Sequence, residues 1–220
     1  MKFFLINYGW KLLGITLILY AVIFGLLIQV PDLPVIHQSL RSLFYHVAMW
    51  FTMFFLFLIS FVFSICYLSG FRLKEDILAL EAAKTAVFFG ILGIITGMIW
   101  AKYTWGTWWV NDPKLNGAAV SLIAYFAYLV LRSSIDDIEK KAKISAVYNI
   151  FAFVLLLIFI GVLPRLAQDS LHPGNKGSTL TVTELDNTIR WVFYPSVLGW
   201  ILVGTWLLQL RVRIHNLSKK

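Results

Sequence analysis

The chain consists of long apolar runs separated by short polar connections. A helix needs about 20 residues to cross the hydrocarbon core of a membrane, and several runs reach that length. None of them alternates apolar and polar positions in segments of about ten residues, as membrane β-strands do. The pattern therefore predicts an all-α integral membrane protein with six transmembrane helices, near residues 10–30, 44–69, 85–103, 113–133, 146–163 and 189–210.

Two prolines mark features within these helices. Asp112 followed by Pro113 is typical of a helix N-cap and a first-turn proline, so we expect the fourth helix to begin there. A helix over 113–133 would rise about 31 Å and cross the membrane, although its apolar core covers only 117–131. Pro195 lies inside the sixth run and predicts a kink near the outer end of that helix.

Composition narrows the class of protein. Hydrophobic residues make up 60% of the chain and charged residues only 14%, whereas soluble domains carry roughly 25% charged residues. The net charge is +8, but the basic residues lie at the ends of the apolar runs. That placement indicates membrane topology, so we expect no nucleic-acid partner. The single cysteine, Cys66, excludes an intrachain disulfide.

The distribution of lysine and arginine predicts the orientation. Of the 19 basic residues, thirteen fall on the side of both termini and six on the other side, which places both termini in the cytoplasm. The loops at 31–43, 104–112 and 164–188 then face outward. The first run is longer than a signal-peptide core and precedes no A-x-A-like cleavage site, so we expect it to be retained. Residues 1–220 are predicted to form one membrane domain.

One of the loops predicted to face outward contains a cluster of tryptophans. Trp105, Trp108 and Trp109 fall within five residues, in the outer loop 104–112. One interpretation is an interfacial belt, since tryptophan and tyrosine gather at both membrane surfaces. The other is a binding surface, because large flat π-systems suit a large flat ligand. The residues alone leave both interpretations open.

Two histidines lie on the same predicted side as the tryptophans. His46 is at the outer end of the second run, and His172 is in the loop before the sixth run. A single histidine at a membrane boundary is more often a polar anchor than a ligand. A haem iron with two axial imidazoles needs them from separate elements, however, and these two histidines meet that condition. His37, in the first outward loop, is a weaker alternative.

The segment WGTWWVNDPKLN at 105–116 resembles the signature, approximately WGTWWxWDxRLT, of the tryptophan-rich (WWD) haem-handling proteins of cytochrome c biogenesis. The similarity extends over the whole chain and is greatest to the haem exporter protein C family. The stretches around His46 (LFYHV) and His172 (SLH) are similar to that family's MYIHV and TLH. Three residues depart from the signature: Asn111 replaces Trp, Lys114 replaces Arg and Asn116 replaces Thr. The Asp-Pro-Lys triplet at 112–114 is instead similar to larger synthase-type relatives.

The resemblance implies a b-type haem at the outer membrane face, with His46 and His172 as axial iron ligands. The indoles of Trp105, Trp108 and Trp109 would form a shelf against the porphyrin. By the same resemblance, haem would be cargo, and the protein would not be an enzyme. It would present haem at the periplasmic face of the bacterial inner membrane to a membrane-anchored haem chaperone, and an ABC-type cytochrome c maturation complex would then release the loaded chaperone.

Charged residues near the tryptophans have two possible roles. Asp112 belongs to the family signature, but its place before Pro113 favours a helix cap. The start of that helix would point the positive end of its dipole toward haem propionates. Candidate partners of the propionates are Lys114 and Arg41, and also Lys102 and Arg165. Each of these residues taken singly is more typical of a snorkelling anchor. The complete set of predicted haem-binding residues is His46, His172, Trp105, Trp108, Trp109, Asp112, Lys114 and Arg41.

Two alternative functions remain open. The chain could be a haem–cytochrome c ligase subunit of the synthase type, although such proteins usually have more spans or a large outer domain. It could also be a haem-free membrane subunit whose tryptophans form only an interfacial belt.

Overall fold

The structure is a computed structural model that describes residues 8–30, 37–167, 172 and 187–218, without the side chain of His37. Within these ranges the chain is helical and contains no strand. The helices are α1 Trp10–Leu27, a 3₁₀ helix His37–Phe44, α2 His46–Gly70, α3 Leu73–Trp105, α4 Pro113–Ser133, α5 Ile138–Leu156, a π-helical segment Leu157–Val162, α6 Leu163–Leu166 and α7 Asn187–Leu217.

Six helices in the described ranges are long and apolar enough to cross a membrane, which confirms the predicted all-α class with six spans. Two of these helices begin earlier than the apolar runs from which they were predicted, because their first turns contain charged residues. Helix α3 begins at Leu73 and not near residue 85, with Glu75 and Asp76 in its first turn. Helix α5 begins at Ile138 and not near residue 146. Acidic residues favour the positive end of a helix dipole, so these polar turns are helical although they are not apolar.

The start of α4 is as the sequence predicts. Asp112 has extended backbone angles (φ −116°, ψ 136°), and its side chain accepts a hydrogen bond from the backbone N–H of Lys114. The N–O distance is 2.8 Å. Pro113 occupies the first helical position, where its missing N–H removes no helical bond. The N-cap prediction is confirmed.

Contacts divide the chain into two compact units, and α2, α3 and α7 contribute residues to both. The first unit comprises Met1–Thr52, Phe89–Val110 and Leu180–Leu207, and the second comprises Met53–Phe88, Asn111–Thr179 and Leu208–Lys220.

In the first unit, the chain that leads into α2 is held from two sides. Phe44 is fully buried in an apolar cluster with residues of α1 and α7. The hydroxyl of Ser196, next to Pro195 in α7, donates to the carbonyl oxygen of Phe44 at 2.5 Å. The guanidinium of Arg41 donates to the carbonyl oxygen of Gly25 near the end of α1, also at 2.5 Å. These contacts fix the backbone immediately before His46.

In the second unit, a buried polar network joins three helices. The amide nitrogen of Asn149 in α5 lies 2.7 Å from the hydroxyl oxygens of both Ser60 and Ser64 in α2. Ser60 donates in turn to the carbonyl oxygen of Ala79 in α3 at 2.7 Å. Such hydrogen bonds favour helix association in a membrane, where water does not compete.

Helix α4 begins close to the π-helical segment of the same unit. Pro164 cannot donate to the preceding turn, and a widened turn before it accommodates the missing bond. A Cβ atom on Gly117 would lie 2.2 Å from the carbonyl oxygen of Phe159, so only glycine permits this close approach. The packing places the first turns of α4 against the π-helical segment.

Candidate haem-binding residues

His46 is the first residue of α2, and two glycines of α3 make room for its ring and a neighbouring indole. A Cβ atom on Gly97 would lie 2.7 Å from Cε1 of His46. A Cβ atom on Gly93 would lie 2.8 Å from Cε2 of Trp50. The two glycines are four residues apart in α3, and the two ring-bearing residues are four residues apart in α2, which is about one helical turn in each helix. The two rings of α2 therefore fit two recesses on one face of α3.

The ring of His46 is oriented through its Nδ1 atom. Nδ1 lies 3.0 Å from the hydroxyl oxygen of Thr96. That hydroxyl lies 2.8 Å from the carbonyl oxygen of Leu92, to which it can donate its single proton. Oγ1 of Thr96 then accepts from an N–H at Nδ1, and we assign this tautomer from the bonding pattern. In the neutral ring the lone pair that binds metals is then on Nε2.

Tryptophans surround His46 in the first unit. The ring of Trp100 lies nearly parallel to the imidazole, at 6.5 Å and 18°, and the ring of Trp50 lies nearly perpendicular at 6.2 Å. Trp100 also packs edge-on against Trp105, at 4.8 Å between ring centroids. Trp50 and the recess residues of α3 were not among the predicted site residues. Helical spacing was the available signal, since Trp50 is one turn after His46.

The three predicted shelf tryptophans have different surroundings. Helix α3 ends at Trp105, and Gly106 follows in the left-handed region (φ +80°), where glycine is favoured. The carbonyl oxygen of Gly106 accepts from Nζ of Lys102 at 2.8 Å. Beyond this turn, the side chains of Trp108 and Trp109 are 54% and 38% exposed. Trp105 thus packs against Trp100, whereas the two later indoles are partly exposed.

In the second unit, His172 lies against the residue that caps α4. Its Nδ1 is 2.8 Å from Oδ1 of Asp112, in a contact that does not have hydrogen-bond geometry, and its side chain is 15% exposed. Asp112 itself is completely buried. The same Oδ1 accepts the backbone N–H of Lys114. One carboxylate oxygen thus joins the start of a helix to the histidine, a contact that the sequence could not indicate because sixty residues separate the pair.

Two of the departures from the family signature contact each other. The side-chain nitrogen of Asn116 donates to Oδ1 of Asn111 at 2.7 Å. A tryptophan and a threonine at these positions could not form that amide–amide bond. The two departures from the signature therefore form a direct contact in this chain.

The predicted propionate partners are partly engaged in structural contacts. Arg41 donates to Gly25, as described above, and its Nε donates to the side chain of Gln38 at 3.0 Å. Lys102 contacts Gly106, and Arg165 is exposed beyond the π-helical segment. The side chain of His37 and most of the loop 164–188 lie outside the described residues.

Comparison with known proteins identifies the family. A sequence model of the heme exporter protein C family matches residues 5–220. The chain is 28% identical over 152 residues to the heme exporter protein C of Haemophilus influenzae, which covers 67% of this chain and 60% of that protein. It is 27% identical over 139 residues to the same-named protein of Paracoccus denitrificans, covering 61% of this chain and 56% of the relative.

A third relative comes from another group. The chain is 44% identical over 95 residues to the cytochrome c biogenesis protein CcsA of Prochlorococcus marinus, covering 42% of this chain and 30% of that protein. The matches to the first relatives span less than two thirds of those proteins' length. The family match covers nearly the whole of this chain, which therefore belongs to the heme exporter protein C family.

Proposed function

We propose that this protein binds b-type haem as cargo and delivers it for cytochrome c biogenesis. The observation that carries the proposal is the setting of His46. Its imidazole stands at the head of a membrane span, is oriented through Nδ1, and has the indoles of Trp50 and Trp100 around it. The names of the relatives, heme exporter protein C, support the same cargo.

The proposed iron ligands are His46 and His172. Histidines that bind metals commonly donate their other ring N–H to an oxygen acceptor, which fixes the tautomer. His46 has such an acceptor at Nδ1, the hydroxyl of Thr96 at 3.0 Å. Nδ1 of His172 lies 2.8 Å from Oδ1 of Asp112, in a contact that does not have hydrogen-bond geometry. Their assignment to one iron rests on the sequence analysis.

The exposed tryptophans are the proposed contact for the porphyrin ring. Trp108 and Trp109 present large aromatic faces that are 54% and 38% exposed. Aromatic stacking on a flat ligand adds to the burial of apolar area. Lys114 and Arg41 remain the proposed partners of the propionates, and the other guanidinium N–H groups of Arg41 supply donors beyond its contact with Gly25.

The proposed location follows from the distribution of basic residues. We place both termini in the cytoplasm and the candidate haem residues on the periplasmic side of a bacterial inner membrane. A haem chaperone anchored in that membrane would receive the haem, and an ABC-type maturation complex would act with it. The six spans would belong to one membrane domain.

Absorbance spectroscopy of purified variants tests the ligand assignment. We expect low-spin, bis-imidazole haem in the wild-type protein, and loss of that spectrum in both His46→Ala and His172→Ala. His215→Ala is the control, because His215 contacts Glu81 at 3.1 Å at the predicted cytoplasmic end. Retention of the wild-type spectrum in both variants would exclude these ligands. A wild-type protein without a Soret band, from haem-replete cells, would favour the haem-free alternative.

A ligase is the second candidate function, favoured by the Asp-Pro-Lys triplet at 112–114, which resembles the synthase-type relatives. Reconstitution with an apocytochrome c and haem, without a chaperone, separates the two functions. A ligase would produce covalently attached haem, whereas the proposed delivery protein would not.

A further inference from the structure

The first half of helix α7 has two different faces within the first unit. One face is almost completely buried in the apolar cluster that contains Phe44, and its members in α7 are Ile189, Val192 and Phe193. At 100° per residue, the opposite face of the helix carries the residues that line a groove of about 500 Å³ against α1. The lining residues from α7 are Asn187, Arg190, Trp191, Tyr194, Pro195 and Leu198.

The two helices that form the groove are fixed to each other at two levels. A Cβ atom on Gly199 would lie 3.0 Å from Cβ of Leu17, so the backbone of α7 closely approaches α1 there. Pro195 has no N–H to donate to the carbonyl of Trp191, and the hydroxyl of Tyr20 in α1 donates to that oxygen at 3.2 Å. The groove is therefore a built feature of the packed helices.

The length of the groove matches one leaflet of a membrane. Asn187 and Leu198 are eleven residues apart, which corresponds to a rise of about 16 Å along the helix. The hydrocarbon core of a bilayer is about 30 Å thick, so each leaflet contributes about 15 Å. Leu17 and Leu198 line the groove at the end away from Asn187. An extended acyl chain in the groove would reach from the membrane surface to the middle of the bilayer.

Arg190 places a positive charge at the polar end of the groove. Its Nε atom is buried and has no hydrogen-bond partner among the described residues. Its Nη1 donates to the side-chain oxygen of Asn187 at 3.2 Å, a long hydrogen bond. No ion pair within the described ranges includes Arg190. A buried donor of a cation is costly without an acceptor, and a phosphate is the acceptor that a guanidinium binds with two parallel bonds.

We propose that this groove binds one anionic phospholipid, with its phosphate at Arg190 and an acyl chain against Leu17 and Leu198. The exposed ring of Trp191 lies beside the headgroup end, as aromatic residues do at membrane surfaces. A free phosphate would leave the apolar walls uncovered, and an apolar partner helix would leave Nε of Arg190 without an acceptor. The predicted orientation makes this the outer leaflet. The site is independent of the proposed haem binding.

Two variants act on the two ends of the groove, and each has a matched control on the same helix. Arg190→Gln removes the charge at the headgroup end, and Arg213→Gln removes a charge at an exposed position outside the groove. Leu198→Trp fills the apolar end. Leu210→Trp makes the same change outside the groove, where the leucine is 40% exposed compared with 48% for Leu198.

The measurement is native mass spectrometry of the delipidated full-length protein in detergent, titrated with phosphatidylglycerol or with phosphatidylcholine of the same acyl chains. We expect one phosphatidylglycerol to bind more tightly than phosphatidylcholine, because the choline ammonium neutralises the phosphate. Arg190→Gln should weaken this binding about tenfold, since it removes a charged hydrogen bond. Leu198→Trp should weaken it as well, and both controls should match the wild type. Glycerol 3-phosphate should not displace the lipid.

Several results would overturn the inference. Equal affinity of the wild type for the two lipids would show only unspecific contact with lipid. Wild-type affinity in Leu198→Trp would do so even if Arg190→Gln does not fold, and displacement by glycerol 3-phosphate would indicate a site for phosphate alone. The photo-crosslinker p-benzoylphenylalanine in place of Tyr194, irradiated in membranes, should give an adduct with the mass of a phospholipid. An adduct with a membrane protein or with haem would assign the groove to that occupant instead.

Discussion

At the residue scale, the candidate ligands could be chosen from the sequence, but the residues that orient them could not. His46 and His172 were identified by position and by family resemblance. Thr96 and Gly97 are ordinary in a membrane helix, and their role depends on the way α3 packs against α2 in the first unit. A pattern of apolar positions contains no information about which face of a helix meets which ring.

Gly97→Ala tests the recess for His46. The new Cβ would lie 2.7 Å from the imidazole, closer than atoms pack, so the ring must move. We expect loss of most of the low-spin haem spectrum without loss of the folded protein. Gly161→Ala is the control, because nothing lies within 4 Å of a Cβ at that position. An unchanged spectrum in Gly97→Ala would contradict the assigned position of the ring.

The contact between Asn111 and Asn116 is tested by a double-mutant cycle. The hydrogen bond at 2.7 Å is on an exposed part of the second unit. We expect the alanine variants to show a coupling of about 0.5–1 kcal/mol in the free energy of unfolding. Additive effects within error would show that the two departures from the family signature are independent.

At the element scale, local chemistry explains which helix starts were predictable. The Asp-Pro pair fixed the start of α4, because the cap and the proline act within a few residues. The first turns of α3 and α5 are rich in charged residues, so the hydropathy pattern begins the spans too late. The π-helical segment depends on Pro164 and on close packing against Gly117, and only the proline was visible in the sequence.

The polar network of the second unit contributes to helix association. Asn149→Leu removes the amide that contacts Ser60 and Ser64, and we expect thermal unfolding in detergent to show a loss of about 1 kcal/mol. Ser64→Ala should give a smaller loss. Ser69→Ala is the matched control on the same helix, because that exposed hydroxyl bonds only to the carbonyl oxygen of Ile65 among the contacts described. Equal stability of Asn149→Leu and the wild type would show that the network is not stabilising.

At the scale of the whole molecule, hydropathy was sufficient for the class and the number of spans. The length of an apolar helix is set by the membrane, and six described helices meet that length. The predicted orientation depends on the excess of basic residues on one side and not on helix length. The division into two compact units was not predicted, since α2, α3 and α7 each correspond to one continuous apolar run, and hydropathy does not show where a helix passes from one unit to the other.

Cysteine labelling tests the orientation. In a Cys66→Ser background, Thr107→Cys introduces a thiol in the Trp-rich loop and Ser134→Cys one after α4, both at exposed positions. We expect a membrane-impermeant maleimide to label the first variant in intact spheroplasts and the second only after permeabilisation. The reverse pattern would place the Trp-rich loop in the cytoplasm.

The most direct test of haem binding is low-temperature electron paramagnetic resonance of the purified wild-type protein, combined with its haem content. We predict about one b-type haem per chain, with the low-spin ferric signal of two imidazole ligands. Protein from haem-replete cells with no haem, or with only high-spin iron that is insensitive to His46→Ala and His172→Ala, would contradict the account.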